Sequence, residues 1–410
     1  MNDQTKYPFF FFLFSILIVA YLLMYGPFLF VPFVMPALRI GLELLILMIF
    51  MVLWLLKSRP GFIPVSFLIF ILLAFWLFNA GSALQTSEAG ETGFPGFIPK
   101  IALLVLGVNA LQYYPSLVKF LARAWALLWA VICIQILLAA VGYHLGLVDF
   151  PLKVSDWSSY NIYFFNPIFG YLFSKGSVPR FSGYVMEPIF LGLFLGLNIL
   201  SASYFVSKRY VKKFRILNLI AGILSMSFTF YLFFGSLAAY TFVKKCLSQN
   251  NRAVSFFALA AAGALTSWIV LFKMGLGKSS SLVDRVWRFY IGLNALLHST
   301  THALWFGNFD YVQAVNADRA ASCGLLVLLL QKGLILFFPI LYLFYRHAKR
   351  DFLVLAYLFY YSIWLEYFWW PSFIVYLVLF HCLSNKPQPA LQPQGSRLRP
   401  QMPVPVVTPG

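Results

Sequence analysis

Charge is what this chain has least of. Only 10% of its 410 residues are Asp, Glu, Lys or Arg, and just 12 are acidic, while 61% are hydrophobic. A folded soluble domain keeps a large polar surface in water, so this composition excludes one. Cysteine is scarce as well: Cys133, Cys246, Cys323 and Cys382 show no paired spacing, which excludes a disulfide framework and gives no support to a cysteine metal site. The five histidines are scattered. His298 and His302 can share one helix face, but no Glu, Asp or Cys completes a ligand set, and a solvated pair is the simpler reading. No internal repeat is visible.

What the chain has instead is apolar runs from end to end, with a mean hydropathy of +0.83 and 46 phenylalanines. Runs of this length cross a hydrocarbon core, so the fold class is all-α, a polytopic integral membrane protein with about 12 transmembrane helices. Spans are expected near 7–26, 37–56, 62–79, 98–114, 121–144, 187–207, 215–231, 233–243, 253–272, 321–345, 352–367 and 371–384. The two short spans within 215–243 are read as a hairpin joined at Phe234-Gly235-Ser236. No small-residue cleavage site follows the first apolar run, which therefore reads as a span and not a removed signal. A single membrane domain is expected over 1–384, followed by a proline-rich, disordered tail over 385–410.

The net charge of +18 suits nucleic acid in a soluble protein, but its distribution says otherwise. Alternate connections carry Lys57/Arg59, Lys119/Arg123, Lys208/Arg209/Lys212/Lys213/Arg215, Lys244/Lys245/Arg252 and Arg346/Lys349/Arg350. With Lys6, Lys386, Arg397 and Arg399, that places 19 of the 30 basic residues on one side. This is the positive-inside pattern, with both termini cytoplasmic; it orients the protein in a bilayer and implies no nucleic acid.

Three segments face the other side. Residues 80–97 are small and acidic and read as an exposed loop. Residues 145–186 and 273–320 are long enough to imply function. Trp157, Tyr160, Tyr163, Phe164 and Phe165 in the first, and Trp287, Phe289, Tyr290, Trp305 and Phe306 in the second, predict short helices lying on the interface.

At the exit of the first loop, Val178-Pro179-Arg180-Phe181-Ser182-Gly183-Tyr184-Val185-Met186-Glu187-Pro188 sets a cation and a carboxylate at a membrane boundary. An arginine fork suits phosphate oxygens and a carboxylate suits proton abstraction, although the two residues can equally serve each other. In the second loop, Ser279-Ser280-Ser281 and Asp284 predict a helix start. Arg285 and Arg288 then share a face suited to a pyrophosphate or to lipid phosphates, and Asp284 can pair with Arg288. Further on, Asn316-Ala317-Asp318-Arg319 leads into a span interrupted by Gln331-Lys332-Gly333, with Glu366 a candidate partner for Lys332.

The order of an Arg-x-x-Gly…Glu-Pro loop exit at Arg180–Pro188, a Ser…Asp-Arg helix at Ser279–Arg285 and a Leu-rich span broken at Gly333 resembles the O-antigen polymerase and ligase superfamily, including Wzy-type surface-polysaccharide polymerases. The resemblance covers roughly residues 178–345. It implies a GT-C-like, metal-independent glycosyltransferase without cofactor, acting at the periplasmic face of the bacterial inner membrane. Its substrates are undecaprenyl-pyrophosphate-linked oligosaccharides, and a chain-length regulator is an implied partner. Family arginines of the two large loops hold the pyrophosphate; the matching positions are Arg180 and Arg285, with Arg288 and Arg319 as neighbours. Glu187 is the candidate base, with Asp284 and Asp318 as alternatives. The histidine that ligases carry at the outer start of the broken span is absent, Ser322 and Cys323 standing there, which favours a polymerase. The Ser-Arg-Gly-like turn of many relatives is also missing its arginine, at Phe234-Gly235-Ser236. From a different class, a transporter or flippase of lipid-linked sugars remains the competitor, without the internal duplication such folds often show.

Overall fold

The computed structural model describes residues 8–24, 36–56, 94–155, 162–174, 179–185, 188–247, 290–306, 324–364 and 370–385. It is mostly helical, with helix over 80% of the described residues. In chain order the helices are α1 (Pro8–Met24), α2 (Pro36–Leu55), α3 (Phe94–Leu111), α4 (Pro115–His144), α5 (Pro188–Phe205), α6 (Val211–Leu224), α7 (Phe228–Leu247), α8 (Thr301–Phe306), α9 (Gly324–Ala348), α10 (Phe352–Trp364) and α11 (Pro371–Ser384). Ten of the expected spans thus have a described helix; those at 62–79 and 253–272 lie outside the described residues. Among the described residues, three helices contain stretches long and apolar enough to cross a membrane: Leu38–Leu55, Pro115–His144 and Pro188–Phe205. The other apolar helices are shorter.

Helix α4 sets the scale. Its 30 residues, begun by Pro115 at N1, extend about 45 Å at 1.5 Å per residue, longer than a hydrocarbon core of about 30 Å. Leu127, Val131, Ile134, Leu138 and Val141 form an exposed apolar stripe along it. An exposed stripe of that size on a helix of that length suits lipid, because water would penalise it. The opposite side buries Trp125 and Trp129, the latter stacked on Phe194 of α5 at 5.1 Å. Helix α11 is buried nearly all round, from Pro371 to Phe380, and packs against α1, α3, α4, α5 and α9. A short helix apolar on every face belongs in the middle of a bundle, and α11 occupies it.

Two buried polar systems tie the helices together. Between α4, α5 and α6, Trp125 Nε1 donates to Asn198 Oδ1 at 3.0 Å, Asn198 Nδ2 donates to Asn218 Oδ1 at 3.1 Å, and Asn218 Nδ2 returns to the Phe214 carbonyl at 2.8 Å. Between α1, α2 and α3, Glu43 accepts from Tyr21 at 3.1 Å and from Lys100 at 3.2 Å. Where α5 meets α10, the Tyr357 hydroxyl donates to the Gly192 carbonyl at 2.7 Å, and a Cβ at Gly196 would overlap the Tyr357 ring.

The first long loop departs from the all-α expectation. It folds as a four-stranded antiparallel meander, β1 (Leu152–Ser155), β2 (Ile162–Asn166), β3 (Gly170–Ser174) and β4 (Pro179–Gly183), in the order β1-β2-β3-β4. The predicted interfacial helices over 145–186 are therefore wrong. The strands are rich in aromatic and β-branched residues, paired as Leu152↔Phe165, Phe164↔Leu172 and Phe173↔Arg180. Their turn is set locally: Asn166 Oδ1 accepts the N–H groups of Ile168 and Phe169 at 2.9 and 3.2 Å, and Gly170 takes φ 81°. A Cβ there would collide with the Gly183 carbonyl, so only glycine fits. The second loop, where described, does form short helices, over 290–297 and in α8, the latter packed on α9.

Two helix breaks complete the frame. Helix α9 is broken at Gly333 (φ 65°), at the interruption expected from Gln331-Lys332-Gly333. Within 215–243 the break falls at Ser225-Met226-Ser227, not at Phe234-Gly235-Ser236, through which α7 runs on. Met226 adopts φ 50°, Ser225 Oγ donates to the Gly222 carbonyl at 2.7 Å, and Phe230 packs on Gly222. Freed backbone groups need partners in a membrane, and the Ser225 hydroxyl supplies one at this break.

Candidate functional site

Arg180 stands in β4, the strand that packs on α4 and α5. Strand β4 is seated by its neighbours. Phe181 is buried in edge-to-face contact with Tyr143 at 5.6 Å, with His144 and Phe150 within 6.3 Å of the same ring. Gly183, at φ 57°, lies against Ile132 and Ile136 of α4. Gln135 Nε2 of α4 donates to the Ile168 carbonyl at 2.7 Å, and the Tyr184 hydroxyl donates to the Pro167 carbonyl at 2.8 Å, fixing the β2–β3 turn to the bundle.

Against this fixed strand the Arg180 guanidinium is half-buried, and burial lowers its pKa from the ordinary arginine value, with the Tyr231 phenol acting in the opposite direction. Tyr231 reaches that position from α7 just beyond the Met226 break, where its hydroxyl donates to the Ile223 carbonyl. A partly desolvated guanidinium on a rigid strand binds a phosphate oxygen more strongly than one in water, because the local dielectric is lower.

Of the sequence-predicted site residues, Arg180 is the one the structure describes. Glu187, Asp284, Arg285, Arg288, Asp318 and Arg319 lie outside the described residues, as do Glu366, Trp157 and Tyr160. Helix α5 starts at Pro188, immediately after Glu187, as the sequence predicts. Of the loop aromatics, Phe165 is buried against Tyr171 at 5.1 Å and faces no solvent, whereas Tyr290 and Trp305 are exposed. His298 is exposed and its Nδ1 lies 2.8 Å from the Asn294 carbonyl; the side chain of His302 lies outside the described residues. Cys133 and Cys382 are buried and not in a disulfide.

Sequence reasoning missed the cluster around Glu43. Glu43 and Lys100 are 1% and 6% exposed, and the fully buried Tyr21 hydroxyl joins them. Arg39 lies one turn before Glu43 on α2, with its Nε buried. A carboxylate and an ammonium inside apolar helices carry a large desolvation cost, offset by mutual attraction and by the tyrosine hydrogen bond. The available signal was charge inside each of two apolar runs, Arg39 and Glu43 in one and Lys100 in the other. The partnership of Glu43 and Lys100 spans 57 positions and is invisible to local spacing.

No protein-family model, no curated protein and no solved structure matches the chain.

Proposed function

We propose that the protein is an inner-membrane polysaccharide polymerase, transferring a growing glycan from undecaprenyl pyrophosphate to a lipid-linked repeat unit at the periplasmic face. In this reading both termini are cytoplasmic and the spans number about 12. The single observation that carries it is Arg180: a half-buried cation on a strand seated on α4 and α5, just before the start of α5.

The chemistry follows from the substrate. The bond between the anomeric carbon and the pyrophosphate oxygen breaks, the acceptor hydroxyl oxygen forms the new bond, and its proton passes to a carboxylate. Arg180, with Arg285, Arg288 and Arg319, takes the charge developing on the leaving pyrophosphate. Glu187 accepts the proton, with Asp284 and Asp318 as alternatives. A pyrophosphate is already a good leaving group, so the reaction needs no covalent nucleophile.

Purified protein incubated with lipid-pyrophosphate-linked repeat units should give polymer ladders on a gel. Arg180→Ala should lower the rate by about a hundredfold or more, and Arg180→Lys should recover part of it, since lysine keeps the charge but not the bidentate fork. Ladders of wild-type length and rate from Arg180→Ala would sink the assignment. Transfer only to lipid A-core would make the protein a ligase. A second reading, a transporter of lipid-linked sugars, is favoured by the buried Glu43–Lys100 pair, since charges at membrane depth often line transport routes. Substrate crossing vesicles without new glycosidic bonds would establish it.

A further inference from the structure

At the far end of α4 from the sheet, a groove of about 780 Å³ opens between α4, α5 and α6. Its volume lies within the roughly 300–1,000 Å³ of ligand sites. Lys119 and Arg123 of α4 and Lys213 of α6 stand at it, all exposed. Among the described residues none of the three is in an ion pair, and the groove's lining contains no carboxylate. The nearby Asp351 is engaged elsewhere, accepting the Leu353 and Val354 N–H groups at the start of α10.

The rest of the wall is of a different kind. Ala126, Phe205 and Phe214 form a buried apolar floor, and Leu127 lines one side at 67% exposure. Leu127 is continuous with the apolar stripe of α4, so the groove runs from a cationic mouth onto the surface assigned above to lipid. Tyr204 and Tyr210 line the mouth, and their rings suit the boundary between headgroup and chain. The Trp125–Asn198–Asn218 chain lies behind the floor and holds the three helices at fixed spacing, so the groove is preformed.

We infer that this groove is a binding site for an anionic glycerophospholipid, with the headgroup phosphate between Lys119, Arg123 and Lys213 and an acyl chain along Ala126 and Leu127. Charge complementarity requires an anion, and the apolar continuation requires that the anion carry a tail. A soluble anion would use the mouth and leave the floor empty. The inference is independent of the reaction proposed above.

Native mass spectrometry of the full chain in detergent tests it, with phosphatidylglycerol, phosphatidylcholine and inorganic phosphate as probes. Phosphatidylglycerol should be retained as a saturable single adduct, in clear preference to phosphatidylcholine. Combining Lys119→Ala, Arg123→Ala and Lys213→Ala should weaken that adduct by about a hundredfold, given the contribution of each basic residue near an anionic headgroup. Lys349→Ala, an exposed cation in the turn after α9, should leave it unchanged. The three groove cations are exposed, so their loss should not disturb packing, and an unchanged elution profile would verify this. Equal retention of both lipids, an unaltered adduct in the triple variant, an equal loss from Lys349→Ala, or displacement by millimolar phosphate would each overturn the assignment.

Discussion

The bundle contains two buried polar systems of similar size and opposite character. Tyr21–Glu43–Lys100 joins α1, α2 and α3 through ions; Trp125–Asn198–Asn218 joins α4, α5 and α6 through neutral groups. Both link three helices by two side-chain hydrogen bonds. The ionic system depends on both charges being present, because removing either one takes from the other an opposite charge it meets in an apolar interior. The neutral system risks less: each amide lost leaves a dipole and not an ion without its partner, and Asn218 keeps its bond to the Phe214 carbonyl. Charge therefore commits a membrane protein to one helix arrangement far more strongly than amide hydrogen bonds do, at a higher cost of desolvation. The first suits a place where charge has a use, the second a place where helices need only be held.

That contrast can be broken or sharpened by substitution. Glu43→Ala should have the largest effect, destabilising by about 3–5 kcal/mol as Lys100 is left buried without its carboxylate. Replacing both, Glu43→Leu with Lys100→Met, should recover much of the loss in a thermal-unfolding series in detergent. If the double variant is as unstable as the single one, the pair is not acting as a unit. Next, Gly196→Ala should cost about 1–3 kcal/mol, because its Cβ overlaps the Tyr357 ring and one of the two helices must move. Asn198→Leu should cost about 1–2 kcal/mol, clearly less than Glu43→Ala; an equal cost would erase the distinction between ionic and neutral ties. Smallest, Gln135→Ala removes the 2.7 Å bond to Ile168 and should cost about 0.5–1.5 kcal/mol. Its sharper readout is faster proteolysis of the sheet, with the helices unchanged.

Much of the helical frame was legible in the sequence, because long apolar runs bounded by charge and proline leave little freedom in where a helix can lie. The starts at Pro188 and Pro371 and the break at Gly333 follow from proline at N1 and glycine at positive φ, whereas α4 begins at Pro115, ahead of the expected start at 121. The sheet was partly legible and was misread. Asn166-Pro167 followed by Gly170, between Ile162-Tyr163-Phe164-Phe165 and Tyr171-Leu172-Phe173, is a hairpin signal, but aromatic density at a membrane boundary looked like an interfacial helix. The break at Met226 was illegible, since a non-glycine residue at positive φ depends on Ser225 and on Phe230 meeting Gly222. Of the candidate site, the environment of Arg180 could not be read locally: its neighbour Tyr231 comes from α7, and its strand is seated by α4.

The sequence by itself determined that this chain is apolar enough for a membrane and that its few charges are mostly basic. Both are sums over many residues, which no detail of packing can reverse. Only the tertiary structure decided that Glu43 meets Lys100, that Arg180 rides on a sheet, and that Lys119, Arg123 and Lys213 gather at one groove. Those pairings depend on which helix faces touch. Hydrophobicity is nearly uniform around such helices, so it says where a helix runs but not which side of it turns toward its neighbour.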